Sequence, residues 1–264
     1  NQKYLSYCLK SNNLLILTAF TAMFKSFGPH EPPFIAFLYA GLNYSISFSL
    51  MHFLGLKLAT KQPSMTAAAL AGRLSESENP AHSGESVEFT EEVARISRAQ
   101  FAAVLGNLLF VIPAVIIIEL VWRGLHRESF YTATKAAAAI DSVSLLHSGV
   151  LTYAALTGVI LWISSVGAGF AENFVVYIRA QEILGGHRIL KQFLGIERAR
   201  RFGEFVVKNT VGVTSSFILG FLLAGTPTLG AFFGLPLDVR HVTLTTGTLT
   251  FSYLGLHSFH GSGL

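Results

Sequence analysis

The chain has 264 residues, of which 51% are hydrophobic and only 13% are charged. Soluble domains have about 25% charged residues, so this composition excludes an ordinary soluble domain and indicates a membrane protein. The formal net charge of +4 is compatible with nucleic-acid binding, but in membrane proteins an excess of Lys and Arg normally marks the cytoplasmic loops.

Long apolar segments predict an all-α fold, a polytopic bundle of about six transmembrane helices, because roughly 20 apolar residues cross a bilayer. The predicted spans are residues 11–27, 34–56, 99–121, 142–177, 205–235 and 242–264. Residues 11–27 are short and contain Lys25, so an interfacial or buried helix is the alternative there. We expect residues 1–264 to be a single membrane domain truncated at both ends, since the chain lacks an initiator Met and ends within an apolar run.

The distribution of Lys and Arg predicts the orientation of this bundle. If the N-terminal end and the connections 57–98 and 179–204 share one side, thirteen of the 19 Lys and Arg lie there and four lie opposite. The positive-inside rule places that side in the cytoplasm.

Glu119, Trp122 and Arg123 end the third predicted span. Trp is typical of the membrane–water interface, and long charged side chains near span ends usually reach the headgroups. The pattern therefore predicts that Glu119 is a boundary residue at the interface.

The connection 179–204 is the most basic part of the chain. Its cations are Arg179, Arg188, Lys191, Arg198, Arg200 and Arg201. Six cations could neutralise nucleic-acid phosphates, or they could set the topology and contact anionic lipid headgroups, and the second interpretation is favoured. The predicted partners are thus the lipid bilayer and its anionic headgroups, with nucleic acid as the alternative, and no oligomeric state is predicted.

The fifth predicted span overlaps a run of 29 residues without Asp, Glu, Lys or Arg, from Asn209 to Leu237. Its second half is interrupted by Gly225, Pro227, Gly230, Gly234 and Pro236. Gly is conformationally permissive and Pro removes a hydrogen-bond donor, so this spacing predicts a broken helix. Broken helices at membrane depth occur where protein or a water-filled cavity satisfies the freed backbone groups, which predicts that the segment lines a path.

Polar residues flank this segment at both ends. They are Lys208 and Asn209 before it, and Asp238, Arg240 and His241 after it. We interpret these five residues as a candidate polar path for a substrate or ion, as in transporters built from discontinuous spans. The alternative for Asp238 and Arg240 is a short external turn whose ions lie in water.

Metal and cofactor signals are weak in this sequence. His257 and His260 have a spacing that places two imidazoles on one helix face, but neither a carboxylate nor a third ligand lies nearby. The single cysteine, Cys8, excludes a multi-Cys zinc site. Neither a metal site nor a cofactor is predicted.

Four sequence blocks, in this order along the chain, resemble those of a known family. They are residues 42–48 (LNYSISF), 58–67 (LATKQPSMTA), 95–101 (RISRAQF) and 221–244, which contains TPTLGAFFGLPLDVRHVTL. They resemble the bacterial integral-membrane family named site-specific recombinase. The resemblance implies an inner-membrane, multi-pass protein and, by its name, DNA recombination.

The residues themselves show no recombinase catalytic motif. A tyrosine recombinase commonly has His-x-x-Arg, which is absent from this chain, and a two-metal strand transferase needs several carboxylates, whereas Asp141 and Asp238 are the only two Asp. Catalytic residues therefore stay unassigned. Three functions remain open: a membrane-associated recombination factor, a transporter or channel-like protein, and a membrane scaffold.

Overall fold

The structure is a computed structural model that describes residues 32–55, 85–144 and 148–260, and these residues form eight helices and no strand. The first four are α1 (Pro33–Phe53), α2 (Glu85–His126), α3 (Ala133–Asp141) and α4 (Val150–Tyr177). The last four are α5 (Ala180–Gly186), α6 (Arg188–Leu194), α7 (Ile196–Phe233) and α8 (Val242–His260). The predicted all-α class is confirmed.

Four helices are long and apolar enough to cross a membrane, namely α1, the Val104–His126 part of α2, α4 and α7. This finding indicates a membrane protein, while six spans are not confirmed. The predicted first span, residues 11–27, lies outside the described residues. The predicted sixth span forms α8, which is not among the four because five threonines and two histidines lower its hydropathy.

The central helix is α7, which packs against α1, α4, α5 and α6, while α8 packs against α2 and α3. Small residues allow its closest approach, at α1. A Cβ atom added to Gly220 would lie 2.6 Å from the backbone nitrogen of Ser45. The Ser45 hydroxyl donates to the carbonyl of Phe217 at 3.2 Å. Small residues and interhelical hydrogen bonds are typical of packing between membrane helices.

The predicted break in the fifth span is not confirmed, because α7 is continuous to Phe233. Inside α7 lie Gly225, Pro227 and Gly230; Gly234 ends it in the left-handed conformation, and Pro236 lies in the loop that follows. Thr226 and Thr228 flank the proline, and their hydroxyls donate to carbonyls one turn earlier, at 2.8 and 3.0 Å. Membrane helices accommodate proline where neighbouring helices pack against them, and α7 packs against α1 and α4.

The basic connection 179–204 is helical. It contains α5, α6 and the first turns of α7, and Gly203 of α7 lies directly against the backbone of Gln181 in α5. Of the other predicted connection, residues 56–84 lie outside the described part, and the remainder belongs to α2.

Apolar side chains face both into and out of the bundle. The core contains Val111 and Val115 of α2, Leu219 and Leu223 of α7, and Phe251 of α8. The outer faces of the long helices also expose large apolar side chains, among them Leu109, Trp162 and Phe170. Outward apolar faces of this extent are suited to contact with lipid.

Candidate functional site

A cavity of about 640 Å³ lies between α1, α3, α7, α8 and the loop from α7 to α8. Its chemically distinctive wall residues are Tyr44, Tyr131, Lys135, Pro227, Asp238 and Arg240. Ligand-binding pockets have volumes of about 300–1,000 Å³, so the cavity is large enough for a small molecule. It is therefore a candidate binding site.

The loop from α7 to α8 positions the charged wall. Gly234 has φ +65°, a conformation that favours glycine, and it turns the chain back so that the Leu235 amide donates to the Gly230 carbonyl at 2.8 Å. A Cβ at Gly230 would lie 2.9 Å from the Leu235 and Leu237 carbonyl oxygens, so glycine is needed at this close approach. The folded-back loop then places Asp238 and Arg240 on the cavity.

Arg240 connects this loop to two other elements. Its guanidinium pairs with Asp238 and donates to the Ser142 carbonyl at the end of α3 at 3.0 Å. It also lies 5.5 Å from the centre of the Tyr153 ring in α4. The Arg240 amide donates to the Thr157 hydroxyl at 2.8 Å. The Nε atom of the same guanidinium is buried and has no hydrogen-bond partner within the described residues.

The cavity carries a net positive charge. Lys135, on the first turn of α3, is exposed and forms no ion pair within the described residues. Among the described residues that line the cavity, Lys135 and Arg240 outnumber the one carboxylate, that of Asp238. Leu244 and Thr245 of the first turn of α8 also line the cavity, and a helix N-terminus adds partial positive charge. This arrangement is chemically suited to binding an anion.

His241 follows Arg240 and lies behind the charged wall. Its side chain is 1% exposed and packs against Phe48 of α1, with 6.3 Å between the ring centres. Burial lowers the pKa of His241 to about 4, so the imidazole is neutral at pH 7. It therefore contributes packing and adds no charge to the cavity.

The five residues of the predicted polar path are divided between the two ends of α7. Asp238, Arg240 and His241 lie together in the loop, whereas Lys208 and Asn209 lie near the other end of the helix. The 19 residues from Lys208 to Pro227 span about 28 Å of helix. Asn209 instead contacts α1, through a 3.0 Å hydrogen bond between its Oδ1 and Nε2 of His52.

Contrary to the prediction from the sequence, the Glu119 side chain does not extend outwards to the lipid headgroups, because it is 1% exposed. Its position at the membrane boundary stays a prediction. Arg123 Nε donates to the Glu119 carboxylate at 2.7 Å, and the Ser129 hydroxyl and the Phe130 amide also donate to it. Arg123 further donates to the Leu254 carbonyl of α8 at 2.7 Å. The one sequence signal for this cluster is the i, i+4 spacing of Glu119 and Arg123.

The other residues singled out from the sequence lie away from the cavity. All six basic residues of the connection 179–204 are exposed, and none lines the cavity. His257 packs against the Tyr253 ring, with 4.2 Å between the ring centres, and the side chain of His260 lies outside the described part. Lys135, conversely, has no sequence signal, because only the tertiary fold brings α3 to the loop.

Comparison of the sequence with known families identifies the family of this chain. No curated protein and no solved structure matches the chain. A protein-family model with the description site-specific recombinase matches residues 2–262, which includes all four blocks that resemble that family. Because the match covers nearly the whole sequence, the chain belongs to the site-specific recombinase family.

Proposed function

We propose that this protein is a multi-pass protein of the bacterial inner membrane, and that its cavity binds a small anionic solute on a path across the bilayer. The observation that supports this function is the cavity of about 640 Å³ with two cations and one carboxylate in its wall. The exposed ammonium of Lys135, which forms no ion pair within the described residues, is a donor that an anion would satisfy.

The proposed topology has α8 crossing the membrane together with the four long helices. Its 19 residues span about 28 Å as a helix, close to the thickness of a bilayer core. By the positive-inside rule, the basic residues at the start of α7 place that end of the helix on the cytoplasmic side. Because α7 then crosses the bilayer, the cavity beside its other end would open towards the opposite, periplasmic side.

Each wall residue has a distinct proposed role. Arg240 is fixed by Asp238 and Ser142 and presents a preorganised positive charge. Lys135 is exposed, so its longer-range, flexible ammonium would meet the solute at the mouth of the cavity. The Tyr44 and Tyr131 rings line the interior and can offer hydroxyl donors to a bound anion.

Recombination, which the family name implies, is less well supported by this site. Recombinases that act through a tyrosine bind the scissile phosphate with several arginines. Arg240 is the single arginine among the described residues that line the cavity, and it is already paired with Asp238. The wall therefore fits one small anion better than a duplex.

Intrinsic fluorescence can test anion binding, because Trp122 lies 5.0 Å from Phe130, a residue of the cavity wall. The chain has two tryptophans, so Trp162→Phe leaves Trp122 as the sole reporter. We expect a saturable fluorescence change when the detergent-solubilised variant is titrated with inorganic phosphate or a small dicarboxylate. Lys135→Gln should weaken the apparent affinity by about tenfold or more, since hydrogen bonds to charged groups contribute about 1.5–3 kcal/mol.

The matched control is Lys191→Gln, which removes an exposed lysine outside the cavity and should leave the titration unchanged. Lys135→Arg keeps the charge and should retain most of the affinity. If no anion gives a saturable response, or if Lys135→Gln titrates like the parent, anion binding at this site is wrong. Uptake of the bound anion into proteoliposomes then separates a path from a binding site alone.

A further inference from the structure

Helix α6 carries apolar side chains that the protein does not bury. The helix has no buried residue, and Ile189 and Phe193, one turn apart on the same face, are 57% and 83% exposed. Ile196, at the start of α7, extends this apolar surface. Large apolar side chains grouped in this way indicate contact with an apolar partner.

The same surface carries more positive charge than its carboxylates neutralise. Residues 177–208 contain seven Lys and Arg but three Glu. Three of the cations are paired: Arg179 with Glu182, and Arg200 and Arg201 with Glu197. Three others form no ion pair within the described residues, and they are Arg188, Lys191 and Arg198.

This surface lies where two of the membrane helices end. Gly167 of α4 lies against Ile218 of α7, and Tyr177 and Lys208 are each ten residues beyond that contact. Ten helical residues span about 15 Å, which is half the thickness of a bilayer core. If the contact lies near the middle of the membrane, α5 and α6 begin at the level of the lipid headgroups.

We propose that α5, α6 and the first turns of α7 form a platform that binds the headgroup surface of an anionic bilayer, with Ile189 and Phe193 entering the interface. The interleaving of apolar and basic side chains is the pattern of interfacial helices, and direct continuity with α4 and α7 keeps the platform beside the membrane. Duplex DNA would engage the cations but give the exposed Phe193 no apolar contact. This proposal is independent of the function proposed for the cavity.

An environment-sensitive fluorophore on the platform tests the proposal. Cys8→Ser removes the one native cysteine, and Gln192→Cys, next to Phe193, then accepts an NBD label. In nanodiscs that contain phosphatidylglycerol, the label should show blue-shifted, stronger emission than in phosphatidylcholine alone, and high salt should reverse the difference. Each neutralised cation should weaken the interaction about fivefold, so Arg188→Gln, Lys191→Gln and Arg198→Gln together should abolish the difference.

The matched control is the triple variant Glu182→Gln, Glu197→Gln and Glu204→Gln, which changes three side chains of the same surface but raises its net positive charge, and it should preserve or strengthen the shift. Phe193→Ser should reduce the emission gain while leaving the thermal unfolding of the protein unchanged. Emission that is the same in both lipids overturns the proposal. A shift that appears only with added duplex DNA, or only in discs with two copies of the chain, assigns the surface to those partners instead and also overturns it.

Discussion

Two of the arginine–carboxylate pairs in the described part of the chain lie beside α8, and they differ in how completely hydrogen bonds satisfy their charged groups. Glu119 and Arg123 form the first pair, whose carboxylate is buried and accepts three hydrogen bonds. Asp238 and Arg240 form the second, on the wall of the cavity, where the Asp238 side chain is 38% exposed.

The first pair therefore has a structural role, whereas the second lies where a ligand could contact it. A buried ion pair is tolerated when further hydrogen bonds satisfy its remaining lone pairs and protons, as at Glu119. At the second pair the Asp238 carboxylate is partly exposed, and Lys135, which forms no ion pair within the described residues, lies on the same cavity. The pairs are also connected, because Phe130 donates to Glu119 through its amide and lines the cavity with its ring.

The largest expected effect is the loss of the buried pair. Glu119→Ala should lower the free energy of unfolding by about 3–5 kcal/mol, because it leaves three donors, from Arg123, Ser129 and Phe130, without their acceptor. Glu119→Gln, which keeps an acceptor for Ser129 and Phe130, should lose less. Thermal unfolding in detergent, followed by Trp122 fluorescence, measures both.

The control for this loss is Glu197→Gln, since Glu197 pairs with Arg200 and Arg201 at the surface. It should leave the unfolding temperature unchanged, because exposed ion pairs contribute little. Equal effects of the changes at Glu119 and Glu197 would contradict the distinction between a buried pair and a surface pair.

An intermediate effect on stability is expected when the pH is lowered, because of His241, which lies next to Arg240 of the second pair. The folded state keeps this imidazole neutral, with a pKa of about 4, whereas its ordinary value is 6.5. Between pH 6.5 and 4 the unfolded state therefore binds a proton that the folded state does not. Stability is complete above pH 6.5 and declines as the pH falls towards 4, by up to about 3 kcal/mol.

Unfolding measured from pH 7.5 to 5 checks this expectation, because carboxylates titrate mainly below that range. His241→Gln should flatten the dependence between pH 6.5 and 5. A slope that persists unchanged in this variant would mean that another group is responsible.

The smallest effect on stability is expected from the hydrogen bond that joins the loop between α7 and α8 to α4, from the Arg240 amide to the Thr157 hydroxyl. Thr157→Val removes the acceptor of the Arg240 amide and should cost about 1 kcal/mol of stability, the contribution of one hydrogen bond. Because the loop would shift, anion binding should weaken as well. Thr210→Val is the comparison, since this hydroxyl donates within α7 alone and its loss should leave anion binding unaffected.

The sequence by itself determined the all-α class, the long apolar helices and the family, because helix length, hydropathy and ordered sequence blocks are local properties. It also located Asp238 and Arg240 next to the Gly- and Pro-rich segment. It did not reveal that α7 continues through Pro227, because that continuity depends on packing against neighbouring helices.

Only the tertiary structure decided which polar residues lie together. It separated Lys208 from Arg240 by the length of α7, brought Lys135 to the cavity across about a hundred residues of sequence, and buried Glu119 among donors from α2 and the following loop. The physical reason is that burial and charge pairing depend on contacts between helices, whereas sequence spacing specifies only the face of the helix on which each residue lies.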